Sequence, residues 1–494
     1  MNKGHDNDSQ LLEEIVGSSS VCTEPAAIGL AVSIAFWATK GVLPNWLESK
    51  YLEVVEATPA DLASVSAQNI ACEIEKIRVS TDRDIFKNSL NAGISYTSNL
   101  KGHIAASAAG VFCNPDMGLD LFNSLDTEKA WCATSLIKDG KIEFITNYDW
   151  DELHIEAEVV TKTHTGRTVI LCEHANVVSI EVDGQTQYNK IDKESKTASR
   201  LRALRQVAYL VNIAENLTKE AAAKAEKSVQ DNFGAFLEGK RLIFMSGEDS
   251  YGFHMMRIAE QRLSSGDFIY QAKVMVGLAV EARMMGFHTK VATCAGSGNM
   301  GLVATLPLLA LALSESMGES AQFDSADSIK LMREECAQDW KRLIRAVALA
   351  HLVAKYASNS SSELSAMCGC GVKAGFGLAA GATYYLCDRK GSLSNTSKAK
   401  RIGFAINNMA GAVTGMICDG AKRGCALKVT FAVQAALECA LLAASGYSLS
   451  NFDGILNKNP MGTLRNVGAV SKAMVETDKK IIELLCDRKF GLRR

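Results

Sequence analysis

What the 494-residue chain lacks narrows it first. It has no surplus of either charge: 53 Lys and Arg stand against 55 Asp and Glu, for a formal net charge of -2. Phosphate backbones and anionic lipid surfaces call for a basic footprint, so neither nucleic acid nor membrane is an expected partner. The first twenty residues carry Asp6, Asp8, Glu13 and Glu14 where an export signal would have a basic start and an apolar stretch. A cytoplasmic location is the expectation. Clean membrane-length apolar runs are missing too: Leu302 to Leu313 is short, and Val429 to Ser445 is interrupted by Glu438. Both read as core helices. The eight histidines form no HExxH and no pair four apart, and neither a GxSxG elbow nor a P-loop occurs, so histidine-metal, serine-hydrolase and nucleotide-phosphate chemistries lose support. His351, on an apolar helix, reads as core.

The texture of what is present predicts an α+β protein in two parts. In residues 1–190, a helix from Pro25 to about Lys40 is followed by helical and mixed sequence to about Gly140. Alternation from Lys141 to Gln185, ending in Asp183-Gly184, then predicts an antiparallel sheet. The polar stretch Thr186 to Arg200 reads as the linker out of it. Residues 191–494 are dominated by Ala, Gly, Leu and Met at helical periods, which predicts a mostly α-helical domain whose helices approach closely around a buried site. Two polar interruptions, Glu315 to Trp340 and Asp388 to Lys400, read as surface insertions.

Fourteen cysteines in a chain read as unexported point to reduced thiols used for packing, metal binding or catalysis. Cys72, Cys132, Cys387 and Cys439 sit singly among apolar neighbours and read as small core residues. The dense cluster is different. Cys368-Gly-Cys370-Gly-Val-Lys-Ala-Gly375 is followed, 48 residues after Cys370, by Cys418-Asp-Gly-Ala-Lys-Arg-Gly-Cys425. Glycines let backbone wrap an inorganic centre, and thiolates are the soft ligands that iron-sulfur clusters and zinc prefer. Zinc sites usually show paired CxxC or CxxH elements, which these spacings do not provide; small core residues between packed helices are the plainer use of the same thiols.

Two further segments carry chemistry. Cys22-Thr23-Glu24-Pro25 opens an apolar helix, and a thiol at a helix N-terminus is expected to have a lowered pKa, which makes thiolate available as nucleophile, base or ligand; simple packing is the other use of Cys22. Cys294-Ala-Gly296-Ser297-Gly298-Asn299-Met-Gly301 matches G-x-G-x-x-G between a β-like Lys290 to Thr293 and a helical run. A dinucleotide site needs a second strand with an acidic residue about 20 positions on, and the sequence stays apolar there. Capture of a small anion by Ser297, Gly298 and Asn299 at the helix start fits better, with a ligand-free tight turn as the plainer alternative.

Together, CTEPAAIGLA at Cys22, CAGSGNMG at Cys294, LSAMCGCGVKAG ending at Gly375, NMAGAVTGMICDGAKRGC ending at Cys425, and TLRNVGAVSKAMVETDKKII near the C-terminus resemble one family over nearly the whole chain. It is the L-cysteine desulfidase branch of the serine dehydratase α-chain-like proteins. The resemblance implies an oxygen-labile 4Fe-4S cluster held by Cys370, Cys418 and Cys425, with Cys368 competing for the first position. It also implies a small amino-acid substrate, L-cysteine, broken down to pyruvate, ammonia and sulfide. Cys22 is the implied base or a displaceable fourth ligand, with Cys486 a weaker claimant to that position. Val372 departs from the middle glycine of the family's GCxGxxG pattern, and Asn91 to Ser98 lacks the proline and second glycine of its NxGIPGT segment. Dehydration of L-serine by the same chemistry and a non-enzymatic metal- or redox-sensing protein are the alternatives. A homodimer is the assembly considered.

Overall fold

The computed structural model describes residues 11–490 except 13–14, 20–21, 53–64, 98–99, 191–200, 202–204, 263–266, 362–363, 390 and 392. The first part runs β1 (Ser18–Ser19), α1 (Thr23–Ala38), α2 (Ala67–Glu73), β2 (Ile74–Asp82), α3 (Arg83–Ser89), α4 (Gly102–Gly110), α5 (Thr127–Lys138), β3 (Ile142–Asn147), β4 (His154–Thr161), β5 (Thr165–Leu171), β6 (Val177–Val182) and β7 (Gln185–Asn189). The second is helical: α6 (Val207–Glu215), α7 (Lys219–Ser246), α8 (Tyr251–Arg262) and α9 (Phe268–Met284), the short β8 (Val291–Ala292), then α10 (Gly298–Met317), α11 (Ala326–Glu335), α12 (Ala337–Ser361), α13 (Ala374–Arg389), α14 (Asn395–Val413), α15 (Cys425–Ser445), α16 (Pro460–Ala473) and α17 (Val475–Phe490). The fold is α+β, as the sequence pattern predicts.

The six-stranded sheet has the order β3-β2-β4-β5-β6-β7. Four of its pairings are antiparallel, but β2 and β3 run parallel, so the sheet is mixed. Strand β2 lies inside the segment read as helical and mixed sequence. Its register shifts between Ile74 and Lys76, which leaves the inward residues Ile74 and Ile77 three apart, a helix-like interval. Strand β7 takes the start of the expected linker; of its residues only Tyr188 is buried, so apolar alternation could not reveal it. The rest of that linker, 191–200, lies outside the described residues. Helix α1 is buried along all of its 16 residues and packs on the sheet. At Gly166 a Cβ would stand 1.9 Å from the carbonyl oxygen of Ala35, so only glycine lets β5 approach this closely.

The helical part packs around α13, which lies against α10, α12, α14 and α15. Small residues set the spacing, since Cβ atoms at Gly377 and Gly381 would fall 2.3 and 2.6 Å from the Ala350 and Ala346 carbonyl oxygens. The two parts are interlocked. Leu11, Leu12, Ile15 and Val16 lie in the helical core, and β1 pairs antiparallel with β8, placing Ser18 opposite Ala292 and Ser19 opposite Val291. That pairing carries the chain from the helical core directly into Cys22 and α1.

Both polar interruptions differ from the surface insertions expected. Glu315 to Trp340 spans the end of α10, all of α11 and the start of α12, and Phe323, Met332 and Trp340 anchor it in the core. In the second, Asp388 and Lys398 belong to helices and pair with each other, with Glu215 adding a second carboxylate to Lys398. Among the described residues no disulfide is formed; Cys132, Cys387 and Cys439 are buried as expected, whereas Cys72 is exposed. Among the described residues two helices, Gly298–Met317 and Cys425–Ser445, are long and apolar enough to cross a membrane by length and composition, and the first is mostly buried within the fold.

Candidate metal centre and substrate cavity

Four chain segments, together with Asn88, His174, Arg283 and Met284, line a cavity of about 700 Å³, counted to the surrounding atoms and including its mouth. The first is the start of α1, with Cys22 as N-cap. The second is the turn into α10. The third begins after α12, where Met367 bridges to Ile417 while Cys368 N donates to Met416 O at 2.8 Å and Cys418 N to Ala366 O at 2.7 Å. This short antiparallel pairing sets the two cysteine segments side by side. Gly369–Lys373 then forms a single π-type turn before α13, a geometry frequent at functional sites. The fourth segment, Cys418 to Cys425, ends at the first residue of α15.

Cys22, Cys368, Cys370, Cys418 and Cys425 all line this cavity. The structure thus gathers every thiol singled out for chemistry except Cys486, which packs with Phe86, Leu90 and Ile482 instead. Between the two competitors, Cys368 Sγ accepts a hydrogen bond from Gly371 N at 3.4 Å and so caps its own turn. Cys370 Sγ faces Ser297 Oγ across 3.9 Å. Among the described residues no three His, Cys, Asp or Glu side chains converge on one point as a single ion would require. The five thiols share the lining of one cavity instead.

Burial dominates the electrostatics of these thiols. It pushes Cys368 up to about 11 and Cys425 up to about 12, in each case with help from neighbouring cysteines. Cys370 rises well above the ordinary thiol value for the same reasons. A bound cationic centre reverses that balance, because a coordinating thiol is deprotonated outright. Cys22 corrects the sequence expectation. Its pKa is raised, first by burial and then by the carboxylate of Glu24, whose Oε2 accepts the thiol hydrogen at 2.9 Å. The helix dipole does not outweigh a dry site and an adjacent negative charge.

The turn at Cys294 to Ser297 is closed by mutual backbone hydrogen bonds, Cys294 N to Ser297 O at 3.0 Å and Ser297 N to Cys294 O at 2.9 Å. Ser297 then caps α10, its Oγ accepting from Met300 N at 3.4 Å. At Gly301 a Cβ would meet the Ala292 carbonyl oxygen at 1.9 Å, and at Gly298 it would meet Arg283 Nη2 at 2.2 Å. The glycines therefore serve close packing of α10 on β8 and on a guanidinium. Arg283 is buried, donating from Nη1 to Ser19 O at 3.1 Å and from Nε to Asn299 Oδ1 at 3.4 Å. A positive charge beneath a helix N-terminus suits an anion above it. Since β8 pairs only with β1 among the described strands, no parallel βαβ unit supports a dinucleotide reading.

Sequence reasoning did not single out several residues that line the cavity, notably Glu24, Asn88, His174, Arg283 and Lys373. Glu24 and Lys373 lie within the quoted motifs, so their proximity was a usable signal. Asn88, whose Nδ2 donates to Glu24 Oε1 at 3.2 Å and whose Oδ1 accepts from Cys418 Sγ at 3.4 Å, gave none. The described part of the Asn91 to Ser98 segment, 91–97, is not among the lining residues; its Gly93 abuts Gly286.

An α+β scaffold that brings five thiols from distant segments to one cavity has the layout of an enzyme active site. The chain belongs to the serine dehydratase α-chain family, whose model matches residues 152–483. Members of this family are lyase-type dehydratases that are generally iron-sulfur dependent. The chain is also similar to proteins carrying the name UPF0597: one from Desulfatibacillum aliphaticivorans is 29% identical over 481 residues, 95% of each chain. Another, from Clostridium tetani, is 31% identical over 420 residues, covering 84% of this chain and 90% of that protein. These names specify no substrate.

Proposed function

We propose that the protein is a cytoplasmic iron-sulfur lyase that removes the β-substituent of a small amino acid, converting L-cysteine and water to pyruvate, ammonia and sulfide. The observation that carries the reading is the meeting of Cys370, Cys418, Cys425 and the Cys22–Glu24 pair with the start of α10 at one cavity. Cys370, Cys418 and Cys425 would hold a 4Fe-4S cluster, with Cys368 kept in its capping role. Held by three thiolates, such a cluster supplies Lewis-acid stabilisation of negative charge in the substrate.

The chain's own residues divide the remaining work. Ser297, Gly298 and Asn299, above Arg283, bind the substrate carboxylate and fix the orientation of its Cα. Cys22 takes the Cα proton once its own has passed to Glu24 Oε2, with which it is already hydrogen-bonded at 2.9 Å. Asn88 holds that carboxylate in place. The 2-aminoacrylate released after sulfide departs tautomerises and hydrolyses without further help.

The test is anaerobic purification with iron and acid-labile sulfide analysis, followed by assay of pyruvate and sulfide release from L-cysteine and of pyruvate release from L-serine. Four irons with sulfide and pyruvate from L-cysteine support the reading. Turnover of L-serine alone gives the dehydratase, which the family description favours as second reading. Protein without iron under these conditions overturns the metal centre. Cys418→Ser and Cys425→Ser are each expected to lose iron and turnover together; normal iron in either removes it from the ligand set.

A further inference from the structure

Besides the start of α1 and Asn88, the N-terminal part supplies the cavity with a residue of its sheet. His174 lies in the β5–β6 connection of the N-terminal sheet, yet it lines the same cavity as the five thiols. Only 3% of its surface is exposed, and neither ring nitrogen has a hydrogen-bond partner among the described residues. A buried polar atom left unpaired costs on the order of 1–3 kcal/mol, so two on one ring need an explanation.

The connection that carries His174 is held firmly. Cys172 adopts a left-handed conformation with φ of 66°, its N donates to Leu153 O at 2.9 Å, and Glu173 N donates to Leu171 O at 2.8 Å. Asn176 Nδ2 donates to Leu171 O at 2.8 Å, and Lys190 Nζ donates to Asn176 Oδ1 at 2.9 Å. Glu173 Oε1 lies 3.0 Å from Nζ of Lys355, a largely buried side chain of α12. The ion pair fastens the sheet's turn to the helical half beside the residue that reaches the cavity. His351 is the useful contrast. Its two nitrogens also lack a partner among the described residues, but it sits within the buried face of α12 and is absent from the cavity lining, so a ligand in the cavity does not reach it.

We infer that His174 is a substrate-binding residue, one ring nitrogen hydrogen-bonding the amino acid held in the cavity, and that Glu173–Lys355 positions it there. The inference rests on the lyase reading for the identity of the ligand. It assigns the N-terminal sheet a part in substrate selection that the cysteine motifs do not disclose.

The test uses the anaerobically purified holoenzyme and two variants, His174→Ala and His174→Gln, the second retaining a donor and an acceptor at similar size. Iron content and cluster absorbance are expected to match the wild type. KM for L-cysteine is expected to rise about 10- to 100-fold in His174→Ala, as for loss of a hydrogen bond to a charged ligand. Calorimetric affinity for L-alanine, which lacks a leaving group, should fall by a similar factor, with His174→Gln intermediate in both. Wild-type turnover with KM and L-alanine affinity unchanged in both variants overturns the inference and leaves the lyase intact. Loss of iron in both variants overturns it in favour of a role in the metal centre. A wild type that turns over neither amino acid fails the lyase reading, while weaker L-alanine binding in the variants still supports His174.

Discussion

Glu24 and Cys22 share a single hydrogen bond, and the chemistry proposed for the cavity depends on which of them ends with the proton. Glu24→Gln keeps the size and removes the acceptor charge, so the holoenzyme should retain its iron while kcat falls about 100-fold, the lower end for a positioned acid-base group; an unchanged kcat would remove Glu24 from the proton path. A second residue makes a prediction through pH. Burial alone lowers His351 to about 3, whereas its unfolded value is about 6.5. Between those values the unfolded chain binds the proton and the fold does not, so stability rises with pH and is lost on acidification, by about 1.4 kcal/mol per unit for a single group. His351→Leu should flatten that dependence between pH 6.5 and 5, read from anaerobic melting temperatures of both proteins; parallel curves would mean the acid sensitivity lies elsewhere. What could be read from the sequence at this scale follows the same division. Cys370, Cys418 and Cys425 announce themselves because glycines surround them, and His351 because its neighbours are apolar. Arg283 and His174 sit in ordinary helix and hairpin sequence, and only the tertiary fold turns them toward the cavity.

Among the secondary-structure elements, α1 was legible from the Cys22 to Pro25 start ahead of an apolar run, and the helices after Leu201 from Ala, Gly, Leu and Met recurring at helical periods. Strand β2 was hidden by its register shift, and the polar edge strand β7 by having a single buried side chain. The close contacts between elements yield a prediction of opposite signs. At Gly166 and Gly301 an added Cβ would stand 1.9 Å from a backbone carbonyl oxygen, of Ala35 and Ala292 respectively, and backbone cannot rotate aside as a side chain does. Gly166→Ala and Gly301→Ala should each destabilise by about 1–3 kcal/mol or more. Gly234, mid-helix in α7 and exposed, has nothing within 4 Å of its Cβ position, so Gly234→Ala should stabilise by about 0.5–1 kcal/mol through helix propensity and reduced unfolded-state freedom. Denaturant titration of the three variants checks the ranking, and Gly166→Ala matching Gly234→Ala would show that α1 is free to shift on the sheet.

The whole molecule is tied together at Lys87, a connection spanning most of the chain that no local sequence pattern could disclose. Its side chain is fully buried, with Nζ 2.9 Å from Asp84 Oδ1, 2.5 Å from Asp478 Oδ1 on α17, and 3.4 Å from Ser365 O ahead of the cysteine turn. The Lys87 carbonyl oxygen lies 2.7 Å from where a Cβ on Gly420 would be, and Gly420 has φ of 89°; the Cys418 to Cys425 loop therefore rests on the same residue. Burial and Asp84 push Asp478 up to about 7 even with the ammonium beside it. Lys87→Met would leave two buried carboxylates facing each other with their cation gone, a change worth about 3–5 kcal/mol. Both carboxyls would then hold protons more tightly folded than unfolded, so the variant's stability should fall as pH rises: the deficit is expected to be larger at pH 8 than at pH 5.5, where protonation relieves the repulsion. Iron retention should fall with it, because the loop bearing Cys418 and Cys425 loses its support. Adding Asp84→Asn and Asp478→Asn to Lys87→Met should recover part of the loss at pH 8. Equal deficits at the two pH values, measured by denaturant titration, would mean that Lys87 acts by packing and that its charge does not hold the C-terminal helix to the cysteine-bearing half.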